Sequence, residues 1–316
     1  MSVTPHAGVG EPFWSVMIPT YKRTTYLEAA LRSVLAQDEG PERMQIEVVD
    51  NCSPTPDVQA MVQRVGAGRI TFFQQKSNLG MLANWQTCIS RARGRWVHIL
   101  HDDDVVYDGF YARLGEGLRQ SPEAVAGLVR YAYMKSDGTP VQKSHLEAPA
   151  SGLLRDYLPL IAARNRIQMA AIVVRRDVYG TAGPFREDLV YTLDWEMWVR
   201  VALAGPIWYE PEVLAGYRTH DGNETSRMTE TGADTIDMRR AVEVISGQLP
   251  AGIRRSCRRA GLAYVAESAL EKAAVTAYRR RYAASRRQLW QAAKARWTAL
   301  LSGKALKTIA RNIVRV

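Results

Sequence analysis

The chain has 316 residues, 47% of them apolar, which allows one large domain or two modest ones with a full core. No run of about 18 apolar residues occurs, so no membrane-spanning helix is expected, and the first residues lack the basic start and apolar centre of a secretory signal. The formal charge of +10 is unevenly spread: residues 250–316 hold 16 Lys and Arg against 2 Asp and Glu, and the remainder holds 26 against 30. That pattern implies a mildly acidic body attached to an anion-seeking segment. Cys52, Cys88 and Cys257 are too scattered for a zinc site or a disulfide framework, so a cytoplasmic location is expected.

In chain order, residues 15–18 read as a buried strand stopped by Pro19. Thr24 or Thr25 is expected to cap a helix with Leu27, Ala30, Leu31, Val34 and Leu35 on one face. A strand at 46–49 ends at Asp50, followed by a helix near 57–65 and a strand at 70–73. Asn78-Leu79-Gly80 opens a helix to about Ala92, and residues 96–100 form a further strand. This alternation predicts an α/β fold with a mostly parallel sheet, its right-handed crossovers bringing Pro19-Thr20-Tyr21, Asp50 and Asp102–Asp104 to one edge. The second half is less regular. A helix from Asp108 to Gln120, a strand at 124–134, a helix at 153–163, a strand at 169–174, a helix from Leu193, two short late strands and helices from Asp234 onward are expected. Neither a dinucleotide-binding glycine motif nor a P-loop is present.

The central stretch is Trp96-Val97-His98-Ile99-Leu100-His101-Asp102-Asp103-Asp104. Three adjacent carboxylates repel one another, and a divalent cation held by oxygen ligands relieves that. The alternative is a solvated turn whose Asp caps the next helix. Phosphates could be held by such a metal, by the helix start at Gly80, or by Arg218 with His220. Tyr21 could stack on a base and Asp50 accept from a base N–H; read alone, Asp50 is equally an Asx-turn residue and Tyr21 a packing aromatic.

These stretches resemble the family 2 glycosyltransferases, enzymes of the GT-A fold that use nucleotide-activated sugars. The matching segments are Val16-Met17-Ile18-Pro19-Thr20-Tyr21-Lys22-Arg23, Val48-Val49-Asp50-Asn51-Cys52-Ser53 and Asn78-Leu79-Gly80 with Asn84. They continue with Ile99-Leu100-His101-Asp102-Asp103-Asp104, Asp194-Trp195-Glu196-Met197-Trp198 with Arg200, and Tyr217-Arg218-Thr219-His220. The resemblance implies that Pro19, Thr20, Tyr21 and Asp50 hold the nucleobase, with Lys76, Asn78 and Gly80 along the nucleotide. Asp102 would contact the ribose and Arg218 the phosphates. Asp103, with His220, would ligate Mn²⁺ or Mg²⁺. His101 stands where many members carry an acidic residue, and Gln74, Gln75 and Lys76 stand where many carry an Arg. Asp194 matches the catalytic base, with Glu196 two residues on as the fallback. The implied activity is inverting transfer of a hexosyl group from a UDP-sugar, or a dTDP-sugar, to a glycan or lipid-linked acceptor in bacterial surface polysaccharide synthesis. Such transfer needs charge stabilisation on the leaving diphosphate and proton removal from the acceptor hydroxyl.

Residues 1–233 are expected to form the catalytic domain and residues 234–316 a basic helical extension. In the tail, Leu289 or Trp290, Ala293, Trp297, Leu300, Leu301, Ile309 and Ile313 recur at helical spacing among Arg and Lys. One reading is a helix lying on an anionic membrane surface, which would place the protein on the inner face of the cell membrane. The other is a helical appendix packed on the body or on a second subunit. Nucleic acid is not expected, because no nucleic-acid motif accompanies the charge. The signature and membrane spans of polymerising members of the family are absent, which favours addition of single sugars. Two rival functions are a sugar nucleotidyltransferase, which would want a Gly-rich loop where Pro19-Thr20-Tyr21-Lys22-Arg23 stands, and a non-catalytic scaffold.

Overall fold

A computed structural model describes residues 10–219 and 224–313. The described chain divides into two compact units. One comprises Met1–Tyr157, Arg166–Phe185 and Arg200–Thr219; the other comprises Leu158–Asn165, Arg186–Val199 and His220–Val316. The division is thus not a single cut after residue 233: two short segments from the middle of the chain join the C-terminal helices.

The first unit is a ten-stranded sheet with flanking helices. Its first half alternates as expected: β1 (Trp14–Thr20), α1 (Leu27–Leu35), β2 (Met44–Asp50), α2 (Asp57–Gly66), β3 (Thr71–Gln74), α3 (Met81–Arg91) and β4 (Trp96–Ile99). These strands pair in parallel in the order β3-β2-β1-β4. Every residue of β1, β2 and β4 is buried, as befits parallel strands covered on both faces. The polar residues among them satisfy one another: Ser15 donates to Gln45 at 2.6 Å, Gln45 donates to Glu47 at 2.9 Å, and Arg91 pairs with Glu47. Gly94 precedes β4 because the chain there runs against β1. A Cβ would lie 2.5 Å from the carbonyl carbon of Trp14.

Pro19 does not stop β1. The strand continues through Thr20, with Pro19 opposite Val49 of β2. Pairing with β4 has already ended at Met17–Ile99, so the missing N–H of Pro19 costs no ladder bond on that side. Nor do Thr24 and Thr25 cap α1. Its N-cap is Tyr26, without a side-chain bond, and burial of Leu27, Ala30, Leu31 and Val34 holds the helix.

The rest of this unit comprises β5 (Val105–Val106), α4 (Phe110–Gln120), β6 (Ala126–Met134), β7 (Pro140–Lys143), β8 (Gly152–Leu154), β9 (Ile172–Arg175), α6 (Arg176–Ala182) and β10 (Ile207–Arg218). The sheet continues β4-β9-β6-β10-β5, with antiparallel steps on both sides of β9 and between β10 and β5. It is therefore mixed rather than mostly parallel. Antiparallel neighbours need no helical crossover, so the strand–helix rhythm fades from the sequence after β5. The helix expected over 153–163 is instead β8 followed by α5 (Leu158–Ala163). Met169–Ala171 is a 3-10 turn leading into β9. The two late strands are one strand, β10, whose register shifts between Glu210 and Val213 accommodate Pro211.

The second unit holds the start of α7 (Leu193–Ala204), as far as Val199, and α8 (Glu224–Thr231), which leads into α9 (Ala233–Gln248), α10 (Ala251–Tyr278), α11 (Tyr282–Ala295) and α12 (Gly303–Ile313). A 3-10 turn, Trp297–Leu301, separates α11 from α12. Trp195, Trp198, Met238 and Ile245 are buried in this unit, and small and polar residues fill the interior between its last helices. Ala269, Leu270, Ala292 and Ala305 form a cluster against which Leu289, Ala299 and Leu300 pack. Buried Asp234 pairs with Lys272 at 2.8 Å and accepts from Gln288 at 2.9 Å.

Candidate active site

The strand register places the chemistry at the carboxyl edge of the sheet. Thr20 lies beside Asp50, and Asp50 beside Gln74, so the ends of β1, β2 and β3 are level. Leu100, just past β4, donates its N–H to Met17, which sets the acidic turn next to the end of β1. Asp102 is buried and accepts from the Thr20 hydroxyl at 2.6 Å. Burial pushes its carboxyl up to about 7, although Arg23 pulls the other way. Arg23 pairs with Asp102 at 3.3 Å and with Asp103. Despite desolvation, those carboxylates hold its guanidinium in the charged form.

Asp102 is not part of the tightest acidic group. His101, Asp103 and Asp104 each offer one ligand atom, all within 4.8 Å of one another. Asp104 accepts the Arg218 backbone N–H at 2.9 Å through Oδ1, while its buried Oδ2 has no partner among the described residues. His101 stacks on Trp85 with ring centroids 4.8 Å apart, and its buried Nε2 likewise has no partner among the described residues. Burial lowers the His101 pKa, which favours the neutral imidazole a metal requires, and raises that of Asp104 well above the carboxylate range. Two orphaned acceptors beside the Asp103 carboxylate fit a divalent cation: an ion would satisfy both and offset the charge that burial makes unfavourable. Asp104 therefore both braces the turn and presents a free oxygen. Among the described residues the cluster takes Asp103 from the expected metal pair, whereas His220 lies outside them.

The nucleotide side is assembled from loops. Tyr21 is 38% exposed at the end of β1, with the Lys22 ammonium 4.9 Å from its ring centroid. Asp50 is fully buried and engaged: it accepts from the backbone N–H of Ser53 at 2.8 Å, the Ser53 hydroxyl at 2.5 Å and the Gln74 amide at 2.8 Å. The Asx-turn geometry is therefore present, and a carboxylate's roughly four lone-pair sites leave room for one more donor. Asn51 donates to Asn78 at 2.9 Å and accepts the Leu79 N–H at 2.9 Å, fixing the loop that starts α3 at Gly80, where φ is +83°. Lys76 is exposed on the same loop. Arg218 reaches the site from β10, but its guanidinium donates to the carbonyls of Asp103 at 2.8 Å and Ser136 at 2.8 Å, holding the acidic turn from behind.

In the second unit, Asp194 stands in the first turn of α7, half-buried, and accepts the Trp195 N–H at 2.7 Å. Burial pushes its carboxyl up to about 7, against hydrogen bonds that include Asn165. The helix start is held from α9: Asp237 accepts the N–H groups of Val190, Tyr191 and Thr192 and the Thr192 hydroxyl at 2.7 Å. Glu196 is fully buried and accepts from Gln248 at 2.7 Å. Of the two carboxylates, Asp194 alone keeps an open side.

Sequence reasoning missed two residues here. The sequence pattern assigns Arg23 no role, yet it is the counter-charge of the acidic turn. His101, which in the sequence stands out only as a departure from an acidic residue, is a candidate ligand; its signal is its place directly ahead of three Asp.

The model of "Glycosyl transferase family 2" matches residues 15–183, more than half the chain. An uncharacterized protein of Mycobacterium tuberculosis, MT1568, is 28% identical over 252 residues, spanning 76% of each chain. The "putative teichuronic acid biosynthesis glycosyltransferase" TuaG of Bacillus subtilis is 26% identical over 74% of this chain and 89% of its own. Among solved structures, residues 1–349 of S. aureus TarS in complex with UDP-GlcNAc superpose with a TM-score of 0.65 at 15% identity, covering 90% of both chains. A Pyrobaculum calidifontis mannosyltransferase in complex with GDP-Man and Mn²⁺ superposes at 0.59 with 16% identity, over 96% of this chain and 80% of that one. The structural likenesses establish the GT-A architecture.

Proposed function

The chain belongs to glycosyl transferase family 2, and from that premise we propose an inverting, metal-dependent transfer of a hexosyl group from a nucleotide-diphosphate donor to a hydroxyl of a glycan or lipid-linked acceptor. The donor is a UDP-sugar in the first place and a dTDP-sugar in the second; the setting is bacterial surface polysaccharide synthesis, at the cytoplasmic face of the membrane. The observation that carries this reading is the pair of orphaned buried acceptors, His101 Nε2 and Asp104 Oδ2, beside Asp103 at the sheet edge shared by Tyr21 and Asp50. UDP-GlcNAc in TarS and GDP-Man with Mn²⁺ in the Pyrobaculum enzyme support a nucleotide-sugar donor and a divalent ion; the name of TuaG supports a cell-surface polysaccharide as the product.

In this reading Tyr21 stacks on the base, Asp50 accepts its N–H, and Pro19 and Thr20 form the adjoining wall. Asp102 accepts from the ribose while Thr20 holds it. Lys76, Asn78 and the helix start at Gly80 face the phosphates. Arg218 contributes charge from behind the turn it braces. Mn²⁺ or Mg²⁺, held by Asp103 with Asp104 and His101, would supply charge stabilisation for the departing diphosphate. Asp194 removes the proton of the attacking hydroxyl; a carboxyl with a pKa near 7 is a stronger base than an ordinary carboxylate and is still ionised in about half the molecules at neutrality. A single base and a direct displacement invert the anomeric centre.

The test is a thermal-shift screen of nucleotide sugars with and without Mn²⁺, followed by NMR of the product formed with the stabilising donor. A metal-dependent shift and inverted anomeric configuration are expected. A retained configuration would refute the single-base displacement.

A further inference from the structure

The tail was expected to carry one apolar face, directed either to a membrane or to protein. The structure splits it. Leu289, Ala299 and Leu300 pack on the helical core, whereas Trp290 (61% exposed), Trp297 (68%), Leu301 and Leu306 point outward. On α11 the outward stripe reads Arg286, Trp290, Lys294, at successive intervals of four, with the Lys294 ammonium 5.0 Å from the Trp290 ring centroid. Beyond it Arg296 is exposed beside Trp297, and Lys307 beside Leu306.

A groove of about 620 Å³ in the same unit adds a second feature. Arg255, Arg258, Arg259 and Leu262 of α10 line it together with Ala295 and Arg296 at the end of α11. Of these arginines, Arg258 is paired with Glu243. Among the described residues, Arg255, Arg259 and Arg296 have no carboxylate partner, and the same holds for Arg286, Lys294 and Lys307. The groove thus presents three uncompensated guanidiniums around a partly apolar lining, one residue from an exposed Trp. Guanidinium groups bind phosphate oxygens in bidentate fashion. Trp side chains prefer the boundary between headgroup and acyl chain.

We propose that this unit docks on an anionic lipid bilayer, with Trp290, Trp297, Leu301 and Leu306 entering the interface and lipid phosphates seated among Arg255, Arg259 and Arg296. Charge complementarity selects this occupant. A second copy of the chain would bring the same uncompensated cations against these, and a neutral protein would leave them unpaired. The inference deepens the membrane-side acceptor proposed above and rests on that reading for its purpose, but its measurement is independent of catalysis.

The experiment is co-sedimentation of the full-length protein with vesicles of phosphatidylcholine alone and of equal parts phosphatidylcholine and phosphatidylglycerol, read together with tryptophan emission. Binding only to the anionic vesicles, weakened by salt and accompanied by a blue shift, is expected. Each cation near such a surface is worth about fivefold in binding, so R255E/R259E/R296E should lose more than about 100-fold. Trp290→Ser with Trp297→Ser should abolish the blue shift. Both variants should keep the wild-type circular dichroism and the thermal shift given by the donor nucleotide, which separates failure of this inference from failure of the family reading. Equal binding to both vesicles, or none, overturns the proposal. So does protection by inorganic phosphate equal to that of anionic vesicles, which would make the groove a site for a free anion. Dimerisation abolished by the Trp substitutions would assign the face to a second copy, and saturable RNA binding tighter than vesicle binding would assign it to nucleic acid.

Discussion

The two units use the same residue types to opposite ends. In the sheet-bearing unit, arginines close on carboxylates of their own unit: Arg32 and Arg64 on Glu28, Arg69 on Asp38, Arg91 on Glu47, Arg166 on Glu147. Its marked imbalance is negative, at the acidic turn, where three consecutive carboxylates face Arg23. In the helical unit the imbalance is positive: Arg258, Arg281 and Lys272 find carboxylates, and among the described residues six further cations around the groove and the outward stripe do not. Among the described residues the acidic turn thus offers a place for a cation from outside, and the tail groove a place for an anion. Charge balance, more than total charge, locates the places where a protein meets something else.

The largest expected effect tests the negative imbalance. Asp103→Asn removes one ligand atom of the cluster and one partner of Arg23. Turnover should fall to background, and the metal-dependent part of nucleotide affinity, measured by calorimetry with and without Mn²⁺, should vanish. Full activity of this variant in the presence of EDTA would show that Arg23 alone balances the turn.

Next in size is Asp194. Asp194→Asn keeps the hydrogen bond to the Trp195 N–H and cannot take a proton. Donor binding should be near normal, with kcat lower by about 10²–10⁴, the usual contribution of a general base. The pH profile adds a signed test. A carboxyl raised to about 7 is protonated below that pH and so useless as a base there. Wild-type kcat should therefore rise with pH through about 7 and level off above it, a rise the Asn variant lacks. Glu196→Gln should leave the profile in place, since that carboxylate is buried against Gln248. A dead Glu196→Gln beside an active Asp194→Asn would move the base two residues along the helix.

How far these sites could be read from sequence follows from the same physics. The parallel half was legible because strands covered on both faces are continuous apolar runs, as in Val16-Met17-Ile18, and because their crossovers put Thr20, Asp50 and the acidic turn on one edge. The antiparallel half was not. β8 is three residues long, and β10 carries Pro211 at a bulge, which reads as a strand break. Arg23 was missed because Lys-Arg after a strand looks like a solvated pair. The loop that leads into α7 is held by Asp237, from a helix more than forty residues away in sequence, so no local pattern marks it. In α11 the buried positions are Ala284, Ser285, Gln288, Gln291 and Ala292, so the strongest hydrophobes do not mark the buried face.

Smaller effects are expected from Asp50 and Asp237, which divide a binding role from a structural one. Asp50→Ala removes the anchor of Ser53 and Gln74 and, under the proposed function, the acceptor of the base N–H. Nucleotide affinity should fall by roughly 1–3 kcal/mol, and an unchanged dissociation constant would make Asp50 a turn residue only. Asp237→Ala leaves the donors of Val190, Tyr191 and Thr192 unpaired at the α7 start. It should lower unfolding stability by roughly 1–3 kcal/mol while sparing nucleotide binding.

The smallest effect is the one that sharpens the comparison most. If Trp297 served the helical core, replacing it by Ser would open a cavity, and deletion of a large aromatic from a core costs about 3–5 kcal/mol. With 68% of its surface exposed, Trp297 contributes little to that core. Trp297→Ser should therefore change unfolding stability by no more than about 0.5 kcal/mol, the usual range at surface positions. Leu300, one turn away and packed on the cluster of Ala269, Leu270, Ala292 and Ala305, is the internal control: Leu300→Ala should cost clearly more, because it removes apolar contacts from that cluster. Equal losses at the two positions in chemical denaturation would mean that the outward stripe belongs to the fold, and the positive imbalance of the tail would then lose its apolar half.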